Sequence, residues 1–275
     1  MEKKTVRWRQ LSLGAGRPAV CVPVMGRDER ALGAFAHAAA LAGAEVIELR
    51  ADSLLAMPTA AQAASMIRAV RAAAPDVPLL FTLRTARDGG AGLPDADAYE
   101  ALLCGLMALE DALPDALDCE LSVGEAAFSR IAACAHDAGV SLVGSSHDFA
   151  KTPERTEIVR RLTLMERLGA DVCKIAVMPK TRADVLTLMQ AALEADESLC
   201  APLIAISMGP LGAITRVGGE LFGSCLTFGA VGQTSAPGQM DARALRGALT
   251  LLHGNRSIIP RPDETLQSCD TIHST

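Results

Sequence analysis

The sequence predicts an α/β fold, a (β/α)8 TIM barrel with an N-terminal hairpin closing the barrel bottom. Three observations predict it. Short apolar, β-branched runs alternate with Ala/Leu-rich helical stretches, the runs number eight, and the repeat occupies about 235 residues, the usual span of such a barrel.

In chain order, Val6–Leu13 with Gly14 and Gly16 behind it reads as the short hairpin. The strand-like runs are Ala19–Val24, Glu45–Arg50, Leu79–Arg84, Leu117–Leu121, Val140–Gly144, Val172–Val177, Pro202–Ser207 and Cys225–Ala230. Stretches such as Val20–Val24 and Leu203–Ile206 are continuously apolar, as strands covered on both faces require. The helical patterns between and after them are Glu29–Leu41, Thr59–Ala73, Ala96–Leu109, Gly124–Ala138, Pro153–Leu168, Thr181–Ala195, Ile214–Phe222 and Asp241–Leu252. A doubly wound open sheet competes, but it usually needs fewer strands and a glycine-rich first turn, which Met25-Gly26-Arg27-Asp28 is not. No linker separates the units, so residues 1–255 read as a single catalytic domain and 256–275 as a polar tail, poorly ordered or ordered only by docking.

Composition sets the function classes. The chain has 275 residues, 50% hydrophobic but 3% aromatic, with a net charge of −6, so the core is aliphatic and extensive disorder is excluded. The acidic balance argues against nucleic acid or an anionic membrane as the main partner, while leaving room for a local basic site. No apolar run reaches the length of a membrane span, and no apolar stretch follows the charged start, so a cytoplasmic protein is expected. The eight cysteines contain no CxxC pair and seven of them lie within apolar or helical stretches, which predicts reduced thiols acting as small hydrophobes.

In a barrel the chemistry sits at the carboxyl ends of the strands. Those positions hold Glu48, Arg50 and Asp52, then Thr82 and Arg84 with Asp88-Gly89-Gly90 behind, then Asp118 and Glu120. Ser145, Ser146, His147 and Asp148 end the fifth run, Lys174 lies inside the sixth, Ser207 and Met208 end the seventh, and Arg216 follows. Of five lysines, Lys174 alone is embedded in an apolar run. Desolvation and neighbouring cations push an ammonium towards the neutral amine that attacks a ketone. Burial alone leaves two readings open, a Schiff-base lysine and a lysine that snorkels to solvent. His147 ends the neighbouring strand, suited to proton transfer near neutrality, and metal binding is disfavoured because no second His or Cys stands at ligand spacing. Arg84 and Arg216 are candidate anion clamps. The glycines of Arg216–Ser224 fit either a phosphate cradle or close helix–barrel packing, and Gln233–Gln239 either a lid or an ordinary loop.

Phe81-Thr82-Leu83-Arg84, Ser146-His147-Asp148-Phe149 with Thr152-Pro153, Lys174–Pro179, Phe222-Gly223-Ser224, Thr227–Ala230 and Ser235–Gln239 together resemble type I 3-dehydroquinate dehydratase, over roughly residues 17 to 254. The resemblance implies a homodimeric shikimate-pathway lyase, free of metal and organic cofactor, that acts on the small molecule 3-dehydroquinate. It implies a Schiff base on Lys174, general acid/base catalysis by His147 with Asp88 as its acidic partner, and a substrate carboxylate on Arg216. By the same resemblance Glu48, Arg50 and Arg84 meet the hydroxyls, Met208 lines the site, and Ser235 and Gln239 close over it. Two departures stand out. The family usually has glutamate where Asp88 stands, which shortens the reach by one methylene, and Gly209-Pro210-Leu211-Gly212 replaces a more polar loop. The turn Gly89–Gly92 is expected to bend in compensation. The alternatives are another Schiff-base barrel enzyme, such as a class I aldolase, and a non-catalytic binder of quinate-like acids.

Overall fold

The computed structural model describes residues 5–54, 57–90, 95–232 and 234–256. Strands β1 (Val6–Trp8) and β2 (Leu11–Leu13) form an antiparallel hairpin. The parallel strands β3 (Ala19–Val24), β4 (Val46–Arg50), β5 (Leu79–Thr82), β6 (Ala116–Glu120), β7 (Ser141–Asp148), β8 (Val172–Val177), β9 (Leu203–Ser207) and β10 (Leu226–Ala230) follow in sequence order. β10 pairs with β3, and a bridge from Leu203 to Ser224 brings β9 to the start of β10, which closes the barrel. A short β11 (Met240–Asp241) pairs in parallel with the end of β10.

The outer ring is α1 (Glu29–Leu41), α2 (Ala60–Ala73), α3 (Ala96–Met107), α4 (Glu125–Asp137), α5 (Arg155–Arg167), α6 (Arg182–Ser198), α7 (Ala213–Val217) and α8 (Ala242–Arg256). Their starts follow local chemistry. The side chains of Asp28, Thr59, Asp95 and Thr181 each accept a first-turn N–H, and Thr59 and Thr181 complete reciprocal boxes with Gln62 and Asp184. The pattern Ile214–Phe222 is not one helix. α7 stops at Val217 and a 3-10 turn takes over at Gly219–Phe222, because Gly218-Gly219 is a poor helix interior.

The barrel interior is layered by the two-residue period of the strands. At the bottom, Ala19, Val46, Leu80, Ala116, Val143, Val172 and Leu226 form one buried cluster with Trp8 and Leu13, so the hairpin plugs that end. Two residues on, the same faces present Cys21, Glu48, Thr82, Asp118, Ser145, Lys174 and Phe228, all buried. Above them stand Arg50, Arg84, Glu120, His147 and Met208. β7 runs on through Ser145–Asp148, beyond the apolar stretch, because Ser145 and His147 have partners inside the barrel while Ser146 and Asp148 bond to Arg161 and to the Ala150 and Lys151 N–H groups.

The expectation for the cysteines needs one correction. Cys104 and Cys134 form a disulfide, because α3 and α4 lie side by side and bring the two Cα atoms to 5.5 Å. Cys21, Cys119, Cys173 and Cys225 are buried, as expected of small hydrophobes, and Cys200 is half-buried. The tail beyond Arg256 lies outside the described residues. Among the described residues, no helix is long and apolar enough to cross a membrane.

Candidate active site

Lys174 stands mid-strand in β8, 4% exposed. Its Nζ lies 3.6 Å from Glu48 Oε1 and 3.8 Å from Asp118 Oδ2, and 4.4 Å above the centroid of the Phe228 ring. It does not snorkel. The charges nearest it are carboxylates, while the cations Arg50 and Arg84 pair with acids of their own.

Those pairings keep the charged interior from being prohibitive. Arg84 donates to Asp118 at 2.8 Å, to Glu120 at 3.0 Å and to Ser145 Oγ at 3.0 Å. Ser145 Oγ donates to Asp118 at 2.7 Å, and the Thr85 N–H and hydroxyl donate to Glu120 at 2.8 and 2.6 Å. Burial by itself would raise Asp118, but Arg84 and Lys174 overcome it and hold its carboxyl below the ordinary range. Burial prevails at Glu120, whose carboxyl is raised. Arg50 donates twice to Asp52, at 2.8 and 2.7 Å, and Thr82 donates to Glu48 at 3.0 Å.

His147 closes β7. One oxygen of Asp88 lies 3.1 Å from its Nδ1 and accepts its backbone N–H at 2.9 Å. Burial, with Arg84 and Lys174 adding to it, holds the imidazole well below its ordinary pKa, so the ring is neutral near pH 7. A neutral ring facing a carboxylate through Nδ1 carries its proton there, leaving the Nε2 lone pair as the base. The shortened acid reaches because its turn is tight. Residues Ala86–Asp88 form a 3-10 turn, Gly89 is left-handed at φ 86°, and the Gly90 N–H donates back to Thr85 O at 2.7 Å. A Cβ on Gly90 would collide with the Arg84 carbonyl, so the close approach requires glycine.

Arg216, from α7, is 1% exposed. Its Nη atoms donate to Phe228 O at 3.2 Å and Pro237 O at 3.0 Å, and its Nε has no partner among the described residues. Burial lowers the guanidinium to about 10, which leaves it charged at neutral pH. A buried cation held by carbonyls alone is a receptor for an anion.

The loop after β10 lies over this arginine. The Ser235 N–H donates to Gln239 Oε1 at 2.8 Å, and Gln239 Nε2 donates back to Ser235 Oγ at 2.9 Å. The Gly209 N–H donates to Pro237 O at 3.1 Å, tying this loop to the Gly209–Gly212 turn. Within Arg216–Ser224 the glycines serve packing: a Cβ on Gly219 would lie 3.0 Å from Pro18, and Gly223 is left-handed against Asp196.

All ten residues singled out from the sequence line one cavity: Glu48, Arg50, Arg84, Asp88, His147, Lys174, Met208, Arg216, Ser235 and Gln239. The cavity wall adds Phe149, Ala176, Ile206 and Phe228. Asp118 and Glu120, given no role from sequence, turn out to anchor Arg84. The available signal was two acids spaced by one residue within an apolar run.

The family model for type I 3-dehydroquinase matches residues 20–256. A 3-dehydroquinate dehydratase of Neisseria gonorrhoeae is 43% identical over 240 residues, 87% of this chain and 94% of the relative. One from Salmonella agona is 42% identical over 251 residues, 91% and 99% of the two chains. Among solved structures, the type I 3-dehydroquinate dehydratase of Clostridium difficile with covalently modified comenic acid is 37% identical at a TM-score of 0.86, covering 92% of this chain and 99% of that one. The 3-dehydroquinate dehydratase of Geobacillus kaustophilus is 35% identical at 0.87, covering 92% and 98%.

Proposed function

The chain belongs to the type I 3-dehydroquinase family, hydro-lyases that convert 3-dehydroquinate to 3-dehydroshikimate in the shikimate pathway, and we propose that it does so through an imine on Lys174 with His147 as general acid and base. The observation that carries this reading is the convergence of Lys174, the Asp88-paired His147 and the carboxylate-free Arg216 on one cavity.

Arg216 binds the substrate carboxylate, replacing desolvated N–H groups with a charge-assisted pair. Glu48, Arg50 and Arg84 meet the ring hydroxyls, with Met208 on the apolar side and Ser235 and Gln239 closing from the loop. The Lys174 amine attacks the C3 ketone, the carbinolamine loses water, and an iminium forms. The iminium withdraws electrons from the C2–H bond, so His147 Nε2 takes that proton and an enamine results. The enamine expels the C1 hydroxyl, which leaves as water with the proton held by His147, giving the conjugated iminium. One water hydrolyses it to the enone and restores the amine. The net change is loss of one water; the lysine attacks as the nucleophile, and the iminium it forms serves as the electron sink. Asp88 stabilises the imidazolium while it holds the proton. Asp88, the feature that invited a non-catalytic binder, makes the hydrogen bond that acid/base work needs.

We take residues 1–255 as the catalytic domain, working in the cytoplasm as a homodimer. Exposed Ile214 and Leu221 around α7 offer apolar surface for a second copy, which light scattering would test. The mechanism is tested by borohydride reduction with 3-dehydroquinate present, read by intact mass. The expected result is a permanent mass gain that Lys174→Ala abolishes. A wild-type chain that turns over without any gain would sink the imine.

A further inference from the structure

Among the described residues Phe149 is the one phenylalanine of six that stands exposed, at 40%. It also lines the cavity that holds Lys174 and His147. Its plane lies 21° from that of the His147 imidazole, with ring centroids 6.4 Å apart. Its edge rests on Gly89, where an added Cβ would collide with ring atoms Cε2, Cζ and Cδ2. One ring therefore stacks towards the histidine and rests on the residue that follows Asp88. Beneath it Asp88 is only 4% exposed, although it sits on a turn rather than in a strand.

We propose that Phe149 is a positioning residue for the base: its ring clamps the 86–90 turn against the end of β7 and shields the Asp88–His147 hydrogen bond from water. The inference rests on the assignment of His147 as general base. The short arm of Asp88 makes the clamp matter. At 3.1 Å the hydrogen bond has no slack, and a retreat of the turn by about 1 Å would break it. The charged groups that face His147 are Asp88 from the turn, Arg50 from β4, Arg84 from the end of β5, Asp118 from β6 and Lys174 from β8. Removing the ring deletes none of these charges; it changes the access of water and the freedom of the turn that carries Asp88. Water at the imidazole weakens the burial that disfavours its protonated form. The base then protonates at a higher pH, and the acid limb of the kcat/KM profile moves up.

The test compares Phe149→Leu, Phe149→Tyr and Gly89→Ala in full pH profiles with 3-dehydroquinate, each with borohydride trapping. For Phe149→Leu, kcat falls about tenfold with KM nearly constant, and the acid limb rises by about one pH unit. Phe149→Tyr, which keeps the ring, stays close to wild type. Gly89→Ala, which drives the ring off the turn and also strains its left-handed backbone, shifts the limb at least as far. An NMR titration of the His147 ring in Phe149→Leu reads the same rise without turnover. An unmoved limb and titration in Phe149→Leu, with trapping intact, overturn the proposal while leaving the lysine mechanism standing. Absence of trapping in the wild type overturns the underlying assignment of the site.

Discussion

Replacing Arg216 by methionine separates binding from stability, because the same feature acts on both. The guanidinium is buried among carbonyl groups, and burial brings it down to about 10, a penalty of about 3 kcal/mol in the empty protein. A basic group whose folded pKa is depressed carries that penalty in full at any pH below the folded value, so all of it is present at pH 7–8. Losing the hydrogen bonds to Phe228 O and Pro237 O costs about 1–2 kcal/mol, so Arg216→Met raises stability by about 1–2 kcal/mol. For a chain of this size that raises Tm by about 2–6 °C. Catalysis goes the other way. A bidentate pair with a substrate carboxylate contributes about 3–5 kcal/mol, so kcat/KM falls by about two to four orders of magnitude, mostly through KM. The assays are a thermal melt of the ligand-free protein and the ultraviolet absorbance of the conjugated enone product. An unchanged KM would place the carboxylate elsewhere, and a fall in Tm would make Arg216 a structural residue, refuting the receptor argument.

Asp88→Asn should lower kcat by about 10- to 100-fold, since a charge-assisted hydrogen bond to the imidazolium is lost. Asp88→Glu should retain or raise kcat, and steady-state kinetics on both variants checks the role of the charge. Reductant should lower Tm by several degrees by opening Cys104–Cys134, which closes a separation of 30 residues and contributes up to about 3–4 kcal/mol, while leaving kcat unchanged. Cys104→Ser should melt low in either condition. Asp118 is held below its ordinary range in the folded chain, so its contribution is present above the unfolded carboxyl value and is lost as pH falls through the folded one. Melts of Asp118→Asn below about pH 4 should show a flatter dependence on pH than the wild type.

What the sequence could show follows from what each signal requires. The barrel was legible because eight strands and their helices each leave a local period, and strand β8 was predicted to the residue. Lys174 was legible because a charge inside an apolar run conflicts with its neighbours, and such conflicts mark function. The failures needed a neighbour that only the closed barrel supplies. Nothing local says that Cys104 meets Cys134, because the pairing depends on α3 lying against α4. Arg216 could be suspected as an anion clamp, but its lack of a counter-ion exists only once Phe228 and Pro237 close around it. Arg84 looked like a free clamp, whereas Asp118 and Glu120 already hold it within a fixed lattice of acids. Phe149 stood in a recognisable motif without a role, because its contact with Gly89 spans two separate strand ends.

Among the described residues, the hairpin fills the barrel floor and leaves the mouth as the doorway to the interior. In the proposed mechanism the substrate enters through the mouth, and so does the water that frees the product from the lysine. The water shed when the imine forms, the hydroxyl lost from the ring and the product must all leave the same way. That doorway lies beneath the Ser235–Gln239 loop, so traffic in both directions is coupled to one segment of chain, and the order of arrivals and departures is part of the chemistry.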